Sequence, residues 1–427
     1  MLCAVMGSVW LLPALALLVL VGVPLFAWRE RGRAYALFGF VVLAFALPGA
    51  VASHARIAAW VSPSVRPWVD ASFLYGLAMA GAHMVHLMRA RLRSLPFRVL
   101  VSIPGQAFVA AGTLAGLWLL ALLPLRLVLF FAGAGQVLGV LRWLDLLPFA
   151  VAALSLLTSL RPVTEWVRIH VATDGPEQVE RVPVERYRRR APVALDRRPL
   201  RIVQITDPHL GPWQPVAKLQ RAIERLLSHE PDLVLLTGDF LTMEGEGTPG
   251  ALAESLAPLR AVSDRSYAVF GNHDHEALDE VRAALEQSAV RLLVDEEVVA
   301  ETKVGPVQIL GADYVRRGRK EHLSALLASH PRREGHVRIL LLHDPLGFRY
   351  VPPGAVDLTL SGHTHGGQVG LVSLGLDWTV LSRSRWPDHG LFGHGSNRLY
   401  VHRGTGFYGF PLRMGVPGEL SVLELVV

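Results

Sequence analysis

Cysteine is all but missing from this 427-residue chain. Cys3 stands alone, which excludes an intramolecular disulfide and any zinc site built on several thiolates. Charge is missing too, but from one half only. Up to about Leu160 ionisable residues are sparse, and from Arg161 onward they occur as in an ordinary soluble protein. Lysine is scarce throughout, so the formal charge of +6 and the pI near 9.7 rest almost wholly on arginine. No basic helix interleaved with aromatics is found, so nucleic acid is not an expected partner. No internal repeat of the transporter kind is evident either.

Apolar residues fill the gap. They make up 51% of the chain, and mean hydropathy is +0.36, high for a wholly soluble protein, so part of it is expected in lipid. Residues 10–28, 34–53 and 68–88 are each near the length that one helix needs to cross a bilayer. Residues 106–160 hold two long or three short spans, interrupted by Pro124, Arg126, Arg142 and Asp145; the total adopted is five, with four and six as the alternatives. No basic residue precedes the first stretch and further spans follow it, which marks a retained helix rather than a cleaved signal peptide. Arginines cluster after the first, third and last spans. By the positive-inside rule this puts the amino terminus outside and, with five spans, the soluble half in the cytoplasm; an even count reverses the latter.

Within the spans, Gly112 with Gly116 and Gly135 with Gly139 have the spacing that lets helices approach closely. His83 with His86, and Arg142 with Asp145, are polar pairs. Interfacial or mutually paired polar groups near helix ends are the default reading of them, and ion or proton handling the sharper alternative. Residues 161–199 read as a juxtamembrane connector. Segments 165–171 and 178–187 alternate apolar and polar side chains about a turn at 173–176, the pattern of a hairpin. Arg188, Arg189, Arg190, Arg197 and Arg198 make a basic edge suited to anionic headgroups.

From Leu200 apolar runs alternate with amphipathic helical segments at 216–228, 250–262, 277–288 and 320–329, with strand-like runs at 291–300 and 307–311. The pattern predicts a fold of the α/β (α+β) class, mixed sheets flanked by helices, with ligand loops on one edge. Five of the apolar runs end alike. LRIVQITDPH leads into Asp207 and His209, DLVLLTGD into Asp239, and SYAVFGNHD into Asn272, His273 and Asp274; VRILLLHD leads into His343, and DLTLSGHTHGGQV into His363 and His365. Ligands of an open α/β sheet lie beyond the carboxyl ends of its strands, so five such endings point to one site. Imidazole and carboxylate donors suit divalent transition metals, and the neighbouring glycines let the backbone turn tightly.

The order D-x-H, G-D, G-N-H-D, a lone His and G-H-x-H resembles the calcineurin-like metallophosphoesterases over about residues 200–425. TGD, GNHD, SGHTHGGQV and the closing RLYVHRGTGFYGFPLRMGVPGELSVLEL look like the membrane-associated bacterial branch, which includes phosphodiesterases and the pyrophosphohydrolases of UDP-diacylglucosamine. The resemblance implies a metallophosphoesterase sandwich at 200–427 behind an all-α transmembrane region at 1–160. It implies two divalent ions, manganese, iron or zinc: Asp207, His209 and His365 on the first, Asn272, His343 and His363 on the second, and Asp239 bridging both. It further implies that His273 protonates the leaving oxygen, its ring oriented by Asp274.

Arg403 is a weaker candidate for substrate contact, as are His275, His389, His394 and His402. Two positions depart from the family pattern, Pro208 between two ligands and Asp344 where an Asn often follows the His; neither removes a ligand. The implied function is a membrane-anchored phosphohydrolase of the bacterial inner membrane, cleaving a phosphoester, phosphodiester or pyrophosphate bond of a phosphorylated small molecule or lipid-linked substrate by metal-activated water. The competing expectation is a membrane sensor or transport component regulated by its metal domain. A domain that only binds metal has no need of an acid such as His273.

Overall fold

The computed structural model describes residues 2–171, 174–187 and 198–427. Arg188, Arg189, Arg190 and Arg197 of the basic edge, and Thr173 of the expected turn, lie outside the described residues. The chain divides into two units, Met1–Leu157 with Gly409–Leu412, and Thr158–Tyr408 with Arg413–Val427.

The long helices of the apolar half include Leu2–Arg31, Arg33–Trp60, Arg66–Leu87 and Ile103–Phe131. Among the described residues four stretches, against the five expected, are long and apolar enough to cross a membrane: Trp10–Arg31, Arg33–Trp60, Leu95–Phe131 and Gly135–Leu160. The 22-residue helix Arg66–Leu87 carries Asp70, His83 and His86 and is more polar. Gly49 faces Gly112 and Gly116, where a Cβ at Gly49 would collide with the Gly112 carbonyl; bare backbone is what lets these two helices touch. Gly135 and Gly139, expected to serve the same end, have open space around their Cβ positions. Arg142 does not pair with Asp145 as the sequence suggested. Asp145 turns inward and is taken by Arg56 at 3.0 Å and Arg126 at 2.5 Å, while Arg142 is exposed and lies over the rings of Trp60 and Trp143.

The second unit is built on two sheets. Its strands are β1 (Val163–His170), β2 (Glu180–Arg181), β3 (Glu185–Tyr187), β4 (Leu200–Ile205), β5 (Leu233–Leu236), β6 (Ser266–Ala268), β7 (Arg291–Leu292), β8 (Glu296–Thr302), β9 (Gly305–Ala312), β10 (Val337–Leu342), β11 (Leu358–Ser361), β12 (Gly390–His394), β13 (Asn397–Val401) and β14 (Glu419–Val426). One sheet has the order β3-β1-β14-β4-β5-β6-β7, the other β2-β12-β13-β11-β10-β9-β8. Both are mixed: β4 to β7 run parallel, as do β9, β10, β11 and β13, while β14 is antiparallel to β4 and β8 to β9. The connector contributes to both. β1 pairs with β3 antiparallel and with β14 in parallel along its whole length, and β2 joins β12.

Alternation along the strands sets the layers. Ile309, Ile339, Leu341, Leu358 and Leu360 face the core between the sheets, where they meet Ile202, Leu233, Leu235, Leu423 and Leu425. Leu310, Leu340 and Leu342 point the other way, onto Leu323, Leu326 and Phe348. Each fully buried leucine contributes about 1.5–3 kcal/mol relative to exposure. A one-residue slip would exchange the two faces, so register, and with it the position of each strand end, is firmly held. Helix Val216–Leu227 covers the first sheet in the expected manner, burying Leu219, Ala222, Ile223 and Leu226. The run 291–300, read from sequence as one strand, is two. Asp295 takes a left-handed turn (φ 56°) that carries the chain from β7 in one sheet to β8 in the other.

Candidate metal centre

β4, β5 and β6 end in Asp207 and His209, in Asp239, and in Asn272 with His273; from the second sheet β10 and β11 end in His343 and in His363 with His365. Hydrogen bonds lock the two sets of ends together. The buried Gln204 amide donates to Thr237 Oγ1 and to the Ser361 carbonyl, each at 3.0 Å, and the His363 N–H reaches both Asp207 oxygens at 3.1 Å.

The backbone at these ends is strained. Asp207, His209, Asp239, His363 and His365 have φ of 48°, 44°, 58°, 70° and 51°, in the left-handed region that L side chains rarely adopt. Each such residue costs about 1–3 kcal/mol and persists where its surroundings over-determine it. The result is that side chains from separate loops turn toward a common centre. Gly271 and Gly362 permit the close approach, because a Cβ on either would collide with the carboxylate of Asp239 or Asp207 respectively.

Two donor groups result. Asp207, His209 and His365 have ligand atoms all within 4.8 Å of one another, and so do Asp239, His343 and His363. In the first, His365 Nε2 lies 3.2 Å from His209 Nε2 and 3.3 Å from Asp207 Oδ1. In the second, His343 Nε2 lies 3.2 Å from Asp239 Oδ2, and Asn272 Oδ1 stands 2.7 Å from His363 Nδ1 and 3.2 Å from His343 Nε2. Two ligand atoms, each about 2.1 Å from one ion, sit about 3 Å apart when the angle between them is near a right angle, so both groups fit a divalent cation. Asp239 Oδ2 is also 3.8 Å from His209 Nε2, so its carboxylate reaches toward both groups. The outer ring nitrogens have partners as well: His209 Nδ1 faces the Leu241 carbonyl at 3.3 Å and His343 Nδ1 that of Thr237 at 2.6 Å, contacts that orient a ligating imidazole.

A family model for calcineurin-like phosphoesterases matches residues 200–367, the segment that supplies every donor just described. The protein named Phosphodiesterase YaeI of Escherichia coli is 28% identical over 233 residues, 53% of this chain and 83% of that one. YkoQ of Bacillus subtilis, named an uncharacterized metallophosphoesterase, is 31% identical over 242 residues, covering 54% of this chain and 84% of YkoQ. The chain belongs to the calcineurin-like phosphoesterase family. A bovine relative, named a transmembrane protein with metallophosphoesterase domain, is 28% identical over 243 residues; the match spans 53% of each chain. With the four apolar helices, this marks the chain as a membrane protein and a phosphoester hydrolase of the metallophosphoesterase type.

Burial sets the electrostatics of this phosphoesterase centre. It pushes the Asp207 carboxyl up to about 7, with the negative charge of Asp239 adding to the shift. Burial would raise Asp239 too, but the cationic ring of His343 outweighs it and holds that carboxyl well below the ordinary range. His343 is the reciprocal case: burial pulls it down, the Asp239 charge prevails, and it rises to about 10. Burial draws His209 down to about 3, His363 to about 4, and His365 well below its ordinary value. Three rings are therefore neutral at neutral pH, the state in which imidazole ligates.

His273 stands beside both groups and is partly open to solvent. Its backbone N–H donates to Asp239 Oδ1 at 2.8 Å, and its ring Nδ1 is 3.3 Å from Glu276 Oε1. Asp274, expected to orient this ring, has another task. Its two oxygens accept the backbone N–H groups of Asp239, Gly271 and Phe240 at 2.7–2.8 Å, because the tight turn after β6 points the carboxylate back into the β5 loop. Arg403 is likewise turned inward. It is 1% exposed and pairs with Glu419 at 2.9 Å and Glu165 at 2.8 Å, which makes it a buried link between β14 and β1. His389 and His402 are fully buried, and His275, exposed, pairs with Asp313 at 3.0 Å.

Sequence reasoning missed Tyr408. Its ring stacks on His209 (centroids 5.2 Å apart, 20° between planes) and meets His273 edge-on at 4.9 Å. An aromatic residue preceding a glycine in the closing GTGFYGF was the available signal. Asp344, one of the two departures from the family pattern, pairs with Arg319 at 2.6 Å and lies 3.9 Å from His363 Nε2.

Proposed function

We propose that this chain is a membrane-anchored phosphohydrolase that cleaves a phosphodiester or pyrophosphate bond of a lipid-linked substrate at a bacterial inner membrane. Residues 200–427 form the catalytic domain in this reading, with strands lent by the connector at 161–199, and residues 1–160 form the anchor. The observation that carries it is the convergence of two three-residue donor groups at strand ends from both sheets, with the partly exposed His273 beside them.

Asp207, His209 and His365 would hold one divalent ion, and Asn272, His343 and His363 the other, with Asp239 between. Bound there, the two ions would supply Lewis acidity to the phosphoryl oxygens and acidify attacking water. The protein supplies the rest. Glu276, at Nδ1 of His273, leaves the far nitrogen of that ring free to hand a proton to the leaving oxygen. The attacking water gives one proton to solvent as its oxygen bonds to phosphorus, the bond from phosphorus to the leaving oxygen breaks, and that oxygen takes the His273 proton. Tyr408 packs against both His209 and His273, whose own rings meet edge-on at 5.6 Å, and so helps to fix the two imidazoles.

The anchor favours a membrane-borne substrate. Only Arg161 and Pro162 separate the end of helix Leu147–Leu160 from β1, so the tether is short. The test is manganese-dependent hydrolysis of an aryl phosphodiester and of vesicle-borne UDP-diacylglucosamine by the full chain, beside Asp239→Asn. Metal-dependent turnover abolished in the variant supports the hydrolase, and a preference for the vesicle substrate supports the lipid reading. No turnover of either substrate with any divalent metal would remove the proposal.

A further inference from the structure

The helical unit holds an unbalanced cluster of charge. Asp145 is buried and its two oxygens are both taken, Oδ2 by Arg56 Nε at 3.0 Å and Oδ1 by Arg126 Nη2 at 2.5 Å. Arg142 adds a third guanidinium. Its carbon lies 5.5 Å from the centre of the Trp60 ring and 5.9 Å from that of Trp143, and those two rings meet edge-on at 4.7 Å. Among the described residues no carboxylate pairs with Arg142, and the buried Nε1–H of Trp60 has no acceptor. Three guanidiniums thus stand against one carboxylate, within or at the ends of the stretches Arg33–Trp60, Leu95–Phe131 and Gly135–Leu160.

Arg56 and Arg142 are exposed on apolar helices of membrane length, so the excess of two positive charges faces outward and calls for a counter-anion from outside the chain. Tryptophans mark the depth at which headgroups lie. Guanidinium forks suit phosphate oxygens, and an indole N–H adds a neutral donor. We propose that Arg56, Arg126, Arg142 and Trp60 form a binding site for the phosphate of an anionic phospholipid headgroup. The site belongs to the helical unit and goes beyond the hydrolase reading, of which it is independent.

The test uses the full chain in nanodiscs of phosphatidylcholine, with phosphatidylglycerol added in steps, followed by thermal unfolding. The native protein should gain a saturable rise in Tm. In Arg56→Gln/Arg142→Gln the phosphatidylglycerol fraction needed for half the rise should increase at least about tenfold. Arg89→Gln, which removes an arginine paired with Glu30 elsewhere in the unit, should leave the curve unchanged. Gel filtration and circular dichroism report whether the double variant folds; if it does not, Arg142→Gln alone, which breaks no ion pair, gives the reading. An unchanged curve in the variant that folds overturns the proposal. So does an equal rise from inorganic phosphate in phosphatidylcholine discs, which would make this a free-anion site.

Discussion

Arg413 holds His365 at two points, with Nη1 3.4 Å from its carbonyl oxygen and Nη2 3.4 Å from its Nδ1. Nη2 also donates to the Arg403 carbonyl at 2.6 Å and to those of Gly404 and Gly406, and Nη1 reaches Val416 at 3.3 Å. The main chain of Arg413 is bonded in turn to the hydroxyls of Thr158 and Ser159. Burial, aided by Arg403, draws this guanidinium down to about 9, which still leaves it charged at neutral pH. One buried cation thus fixes the loop after β13 against a proposed metal ligand.

Lysine cannot reproduce that fork, because an ammonium is a point charge on a flexible stem. Arg413→Lys should weaken metal retention at the first donor group by about 10–100-fold, as loss of an orienting partner commonly does. Metal content after gel filtration is the measurement, and excess manganese should restore much of the activity. Full metal content with unchanged turnover would show that the guanidinium only fills space.

His273 and the ligands should part company kinetically. Asp239→Asn should lose bound metal and activity together. His273→Ala should keep its metal and lose about 10²–10⁴-fold in kcat on a substrate with a poor alkoxide leaving group. On an aryl ester, whose leaving group needs little protonation, the loss should be far smaller. Equal losses on both substrates would count against His273 as the acid.

Much of this centre could be read from residue order alone. All seven proposed ligands sit at strand ends because apolar runs closed by Asp, His or Asn leave few other readings. The role of Asp274 was not legible, since adjacency to His273 says nothing of which way a side chain leaves a tight turn. Arg403 misled for a related reason. An arginine after a strand suggests substrate until Glu165, 238 positions earlier, proves to be its partner. In the same way Asp145 drew its partners from distant helices rather than from Arg142, three residues away.

Asp274 should matter for stability before chemistry. Asp274→Ala leaves the N–H groups of Asp239, Phe240 and Gly271 without their acceptor, at about 1–3 kcal/mol for each group left unpaired. A marked fall in Tm and in metal retention is expected, with the pH–rate profile of any folded enzyme keeping its shape.

Arg403→Met should act in the same currency. It strands Glu165 and Glu419 beside each other in a buried place, a loss of about 3–5 kcal/mol by the usual cost of breaking such a pair. A substrate-binding arginine would instead raise KM at unchanged Tm. The two outcomes are easily told apart by thermal unfolding beside a saturation curve.

Metal binding should release protons, and the sign follows from the metal-free centre. Asp207, raised to about 7, is largely protonated below that pH, and His343, raised to about 10, keeps its proton well above it. Both must be deprotonated to ligate, so protons and metal compete, and affinity falls as pH falls through these values. His209 and His363, lowered to about 3 and 4, add nothing near neutrality. Filling both groups should therefore release about two protons at about pH 6 and about one at about pH 8.5, where Asp207 has already ionised. Calorimetric titration of the metal-free chain with manganese, in buffers of different ionisation enthalpy, counts them. A release that does not change between the two pH values would mean that the Asp207 proton is not there to be displaced.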